Sequence, residues 1–172
     1  MKNTATLKLN TPTDREIVMT RVFEAPRGPV FEALTKPELL KRWLYGPPGW
    51  SLAVCEIDLR AGGKYRFEMH GPDGAEMGWA GVYREVLAPE RIVATERFDE
   101  AWYPGEALVT TALAEKEGKT TLTLTVLYES RQARDTALTT PMEQGVAAGY
   151  DRLEEMLAAL PGSGSHAANR QD

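Results

Sequence analysis

The last helical stretch of the chain, Thr140 to Leu160, constrains the fold more than any other segment. Thr140-Pro141-Met142-Glu143 reads as a start signal, with Thr140 as N-cap, Pro141 in the first turn and Glu143 completing a capping box. Met142, Val146, Gly149, Tyr150, Leu153, Met156, Leu157 and Leu160 then fall on one side of a helical wheel, with Gln144, Asp151, Glu154 and Glu155 on the other. Such a helix is roughly 30 Å long. Pro161-Gly162 ends it. Gly145 and Gly149 each cost about 1 kcal/mol relative to alanine in a helix. Either they allow close helix–strand packing, the preferred reading, or they leave room for a ligand under the helix. A helix with one long apolar face needs a broad apolar surface to lie on, and the strand-rich middle of the chain is the candidate.

Residues 1–14 are polar and are expected to be loose. Glu16–Phe23 is a β-branched first strand. Ala25-Pro26 stops it, Pro29–Leu34 reads as a short helix, and Thr35-Lys36-Pro37-Glu38 opens a second through Trp43. A run of strands follows: Trp50–Leu59, Lys64–His70, Gly78–Leu87, Arg91–Phe98, Glu106–Ala114 and Thr120–Tyr128. They are separated by short turn signals such as Pro72-Asp73-Gly74, Pro89-Glu90 and Glu117-Gly118-Lys119, the mark of an antiparallel meander. Residues 131–138 are an ambiguous connector. Residues 161–172 read as a disordered tail, leaving 15–160 as one domain. The fold class is therefore α+β: a curved antiparallel sheet of about six to seven strands wrapped round a long C-terminal helix, with two short helices after the first strand. A curved sheet under one helix leaves a wedge, and a wedge lined by apolar side chains is a pocket.

Composition excludes several functions. The net charge of -5 comes with no basic run to neutralise phosphates, which argues against nucleic acid. No apolar stretch is long enough for a membrane span, and the start of the chain lacks the apolar core of a signal peptide. The single cysteine, Cys55, cannot form an internal disulfide, so a cytoplasmic location is expected. Cys55 reads as a structural thiol. His70 falls on the solvent face at a strand end, and His166 lies in the tail, so neither a metal site nor a histidine base is expected. No cofactor is called for.

Trp43, Tyr45, Trp50, Phe67, Met69, Trp79, Tyr83, Phe98, Trp102, Met142, Val146 and Tyr150 are the candidate ligand-binding residues. Each alone fits ordinary core packing better. Together they are an expensive way to fill a core, because buried Trp and Tyr carry polar atoms that need partners. Alternation puts Tyr65, Phe67 and Met69 on the inward face of their strand. In the next strand Trp79-Gly81-Tyr83 and Ala80-Val82-Arg84 compete for that face. Arg21 and Glu96 are charges inside apolar strands. A solvated face or a surface ion pair is the preferred reading; pointing inward, either would be the best group to orient a polar part of a ligand.

Arg21–Pro26, Val30–Leu40, the Trp43-Leu44-Tyr45-Gly46-Pro47-Pro48-Gly49-Trp50 segment, Asp58–Tyr65, Gly81–Val86, Pro89–Val93 and Gly149-Tyr150 resemble the SRPBCC (START-like, birch-pollen-allergen-like) superfamily. The branch is that of homologues of the heat-shock-protein-90 ATPase activator. The resemblance covers residues 15 to 160. It implies a helix-grip fold with a cavity between sheet and helix, and a choice of roles. The first is binding of a small hydrophobic, aromatic or lipid-like molecule without turnover. The second is a polyketide cyclase/dehydratase-like enzyme using a group such as Glu96 or Tyr83. The third is a chaperone ATPase regulator with a protein partner. No catalytic constellation is visible, which favours the first. Monomer and homodimer both remain open.

Overall fold

The computed structural model describes residues 6–160. Eight antiparallel strands form one curved sheet: β1 (Lys8–Asn10), β2 (Glu16–Phe23), β3 (Ser51–Ile57), β4 (Lys64–His70), β5 (Glu76–Leu87), β6 (Arg91–Phe98), β7 (Ala107–Lys116) and β8 (Lys119–Leu127). Their spatial order is β1-β2-β8-β7-β6-β5-β4-β3. Helices α1 (Arg27–Thr35) and α2 (Pro37–Leu40) follow β2, while α3 (Arg131–Leu138) and α4 (Met142–Ala159) close the chain. This is the expected helix-grip architecture, an α+β fold, with one strand more than anticipated. Lys8–Asn10 lies within the stretch expected to be loose, and it pairs with Thr20–Val18 on the edge of the sheet. The expected tail, with His166, lies outside the described residues.

Local chemistry explains the joints. β7 and β8 are joined by Glu117-Gly118, both at positive φ (55° and 78°), with Lys116 opposite Lys119. That two-residue turn matches the twist of the paired strands. The two expected capping boxes do not form. Thr35 lies inside α1, and its hydroxyl donates back to Phe31 O at 2.9 Å. Thr140 is still in the turn that ends α3, where its hydroxyl donates to Ala137 O at 2.7 Å, and Pro141 takes the N-cap position of α4. The connector 131–138 is helical because Ser130 caps it, accepting from Ala133 N at 3.0 Å.

Strand register assigns the faces, since residues opposite one another share a side. Ile17, Met19, Arg21 and Phe23 of β2 are all buried and inward. They face Val126, Leu124, Leu122 and Thr120 of β8. Val109, Thr111 and Leu113 of β7 continue that face to Ala94 and Ile92 of β6. Trp79 and Tyr83 then lie opposite Phe98 and Ala94, and Phe67 opposite Trp79. The ambiguity in β5 is thereby resolved: Trp79-Gly81-Tyr83 is the inner set. A bulge between Tyr83 and Glu85 brings Val86 inward after it.

Candidate functional site

Burial divides the interior into three closed clusters. One joins Phe23, Phe31, Leu113 and Leu122 to Leu153, Met156 and Leu157 of α4. A second holds Ile17, Met19, Val126, Tyr103 and Tyr128 against Ala133 and Ala137 of α3. A third consists of Tyr65, Trp79, Tyr83 and Ala94. Where they meet, the inward residues are only half-buried. Leu124 and Val146 touch the first and second clusters, Phe67, Met69 and Ile92 the first and third, and Phe98 the second and third. These inward-facing residues keep accessible surface, as do Met142 and Val146 in the N-terminal half of α4, while Tyr150, Leu153 and Leu157 are closed in.

Arg21 and Glu96 are the two charged side chains at inward strand positions that are not exposed; Glu115, at the end of β7, is exposed. Arg21 is 4 % exposed and is held by α4: Nη1 donates to Asp151 Oδ1 at 2.7 Å, and Nη2 approaches Glu154 Oε1 at 3.5 Å. Its guanidinium also lies 5.3 Å from the centre of the Phe23 ring. The pair docks helix onto sheet. Glu96 differs. Register with Ala107 turns it inward, and no basic group pairs with it among the described residues. Its one polar partner is Tyr103, whose hydroxyl donates to Oε1 at 3.0 Å. Burial raises its pKa to about 7, against the opposing pull of that hydrogen bond. The side chain keeps part of its accessible surface.

The walls around Glu96 are aromatic. Ring centroids step from Tyr65 to Phe67 (5.2 Å), Trp79 (5.4 Å), Phe98 (5.3 Å), Trp102 (5.0 Å), Tyr103 (4.8 Å) and Tyr128 (5.0 Å). Burial pushes the Tyr65, Tyr103 and Tyr128 hydroxyls well above the usual phenol range, and Glu96 adds to this in each case. The Tyr65 hydroxyl donates to Thr95 O at 2.6 Å. Trp102 Nε1 is enclosed with no partner. The 99–106 loop that carries Trp102 and Tyr103 is anchored at its far end. Gly105 sits at φ +83° beside the Glu129 carboxylate, where a β-carbon would collide at 2.4 Å, and Glu106 N donates to Glu129 Oε2 at 2.9 Å.

The structure packs Phe67, Met69, Trp79, Phe98, Trp102, Met142 and Val146 in or against the three clusters, with Tyr83 beside Tyr65 at 5.4 Å. The other candidates serve elsewhere. Trp43 is 5 % exposed, donates its indole N–H to Ala33 O at 2.9 Å, and packs on Tyr150 at 6.0 Å. Tyr150 also meets Phe23 edge-on at 5.6 Å. Tyr45 lies under the Arg152 guanidinium, 4.1 Å from its ring centre, and Arg152 also donates to the Trp43 and Tyr45 carbonyls. Trp50 covers the turn glycines Gly46 and Gly71. Cys55 is inward and half-buried, and burial raises its thiol. His70 lies on the outer face, 3.3 Å from Glu68. The helix glycines do not pack against a strand: Gly145 has nothing near it, and Gly149 faces the Trp43 ring at 3.7 Å. Tyr103 and Tyr128 are the site residues that sequence reasoning missed; the adjacent aromatics Trp102-Tyr103 before Pro104-Gly105 were the available signal.

No helix among the described residues is long and apolar enough to cross a membrane, and no cluster of metal-ligand side chains occurs among them. The family model described as Activator of Hsp90 ATPase homolog 1-like protein matches residues 24–158. No curated protein matches the chain. A crystal structure of a Rhodobacter sphaeroides protein is 32% identical, with a TM-score of 0.85 over 90% of this chain and 99% of that one. A Mycobacterium smegmatis protein gives 24% identity and a TM-score of 0.77, over 91% of this chain and 98% of that one. A Nitrosomonas europaea protein gives 24% and 0.75, over 86% and 97%.

Proposed function

The chain belongs to the Activator of Hsp90 ATPase homolog 1-like family, and we propose that it binds a small hydrophobic, predominantly aromatic molecule between the sheet and α4. One observation carries this reading. Inward residues at the junction of three closed clusters keep accessible surface, and most of them are large and apolar. Ordinary core packing would close that surface, since protein interiors leave few voids. Native mass spectrometry of the purified protein, followed by denaturing release, tests it. A stoichiometric small molecule is expected. An empty protein that also fails to take up neutral aromatic probes would refute it.

A second reading, an enzyme of the cyclase/dehydratase kind, is favoured by Glu96. An inward carboxyl raised to about 7 and held by a tyrosine hydroxyl is a group that can exchange a proton with a bound molecule near neutral pH. Turnover of a released ligand by the wild type and not by Glu96→Gln would establish it; unchanged ligand after long incubation would exclude it. A chaperone partner rests on the family description alone.

A further inference from the structure

Resting on the ligand-binding reading above, we propose that Glu96 and the aromatic rings around it form a station for a protonated amine, so that the ligand is an aromatic or alkyl body carrying an ammonium group. The two enclosed charges, Arg21 and Glu96, differ in their partners. Arg21 is neutralised inside the protein by Asp151 and Glu154. Glu96 has no counter-charge among the described residues, and Oε2 has no hydrogen-bond partner there. A buried carboxylate without a cation is costly, and a ligand cation removes that cost.

The polar partner is of the matching kind. Tyr103 donates to Glu96, so the protein arranges this carboxyl as an acceptor. The groups that face it are the Tyr103 hydroxyl from the 99–106 loop, Tyr65 from β4 and Tyr128 at the end of β8. None is basic. Phe98, two residues along the same face, packs against Trp79 at a tilt and against Trp102 edge-on, and aromatic faces attract ammonium groups most strongly where water is excluded. Ala94 and Ala107 occupy the inward positions flanking Glu96, and the Glu96 side chain keeps part of its accessible surface.

The test compares phenylbutylamine with phenylbutanol, which share a body and differ in charge, by titration calorimetry on the full chain. The wild type is expected to bind the amine at least about tenfold more tightly. At pH 6, below the value of about 7 for Glu96, amine binding is expected to release close to one proton, read from the buffer dependence of the heat. Glu96→Gln keeps the shape and the hydrogen-bond acceptor; it is expected to abolish both the preference and the proton release. Equal affinity for the two probes, or a preference that survives in Glu96→Gln, overturns the amine station and leaves the cavity reading intact. Amine binding at pH 6 with no proton release also overturns it, since the carboxyl then keeps its proton and gives the ammonium no counter-charge. If neither probe binds, the amine station is overturned, and copurified ligand decides the cavity reading separately.

Discussion

Glu96→Gln has a calculable effect on stability that needs no knowledge of the ligand. In the unfolded chain this carboxyl titrates near 4.5, and in the fold near 7, because burial penalises its charged form. Below pH 4.5 it is neutral in both states and contributes nothing to the pH dependence. As pH rises toward 7 the unfolded chain ionises it freely and the folded chain does not, so stability falls over that window and then levels off. The interval from 4.5 to about 7, at about 1.4 kcal/mol per tenfold change in proton affinity, comes to about 3 kcal/mol. Glutamine cannot ionise but can still accept from Tyr103. Urea unfolding of both proteins from pH 4 to 8 should therefore give curves that coincide at the acid end and diverge, with the variant more stable by about 3 kcal/mol at pH 8. Parallel curves, or a variant that loses ground as pH rises, would refute the inward, unpaired placement of Glu96.

Gly145→Ala should stabilise the protein by about 0.5–1 kcal/mol in the same assay, because the new methyl group meets open space in a helix interior. Trp43→Ala should cost about 3–5 kcal/mol, as for a closed core aromatic, and should act on ligand affinity only through stability. Arg152→Met should raise amide exchange across residues 43–46 with little change elsewhere, since Arg152 ties two carbonyls of that turn to α4. Leu124→Phe should cost under about 1 kcal/mol, compared with the 1–3 kcal/mol typical of overpacking a closed core, and should displace ligand seen by native mass spectrometry.

Most of the fold was legible because its signals are local. The helical period of α4 and the two-residue period of Leu122, Leu124 and Val126 repeat often enough to name element and face without tertiary information. What escaped was settled by partners distant in sequence. Lys8–Asn10 offers too little pattern to declare itself a strand and becomes one by pairing with β2. The inner set of β5 depends on Phe67 and Phe98 on either side of Trp79. Glu96 lies in Ile92-Val93-Ala94-Thr95-Glu96-Arg97-Phe98, which has apolar residues on both parities, so only the register with Ala107 turns the carboxyl inward. The missed capping at Thr140 has the same origin. The tetrapeptide suits an N-terminus, but α3 still claims Thr140 for its own last turn.

The distribution of burial separates closed clusters from the half-buried residues where they meet. The closed clusters sit toward different borders of the sheet: α1 and the C-terminal half of α4 seal one, α3 seals a second, and the aromatic stack on β4–β6 forms the third. Arg21 reinforces the first by tying β2 to Asp151 and Glu154. Stability is thus generated around the rim, by residues such as Phe23, Leu122, Leu153 and Tyr128 that are almost wholly enclosed. The half-buried residues in the middle add less, so folding constrains their identity less. A carboxyl with a perturbed proton affinity is tolerable there because the rim supplies the stability it subtracts. The same division predicts where substitutions act: on folding at the rim, and on binding around Glu96.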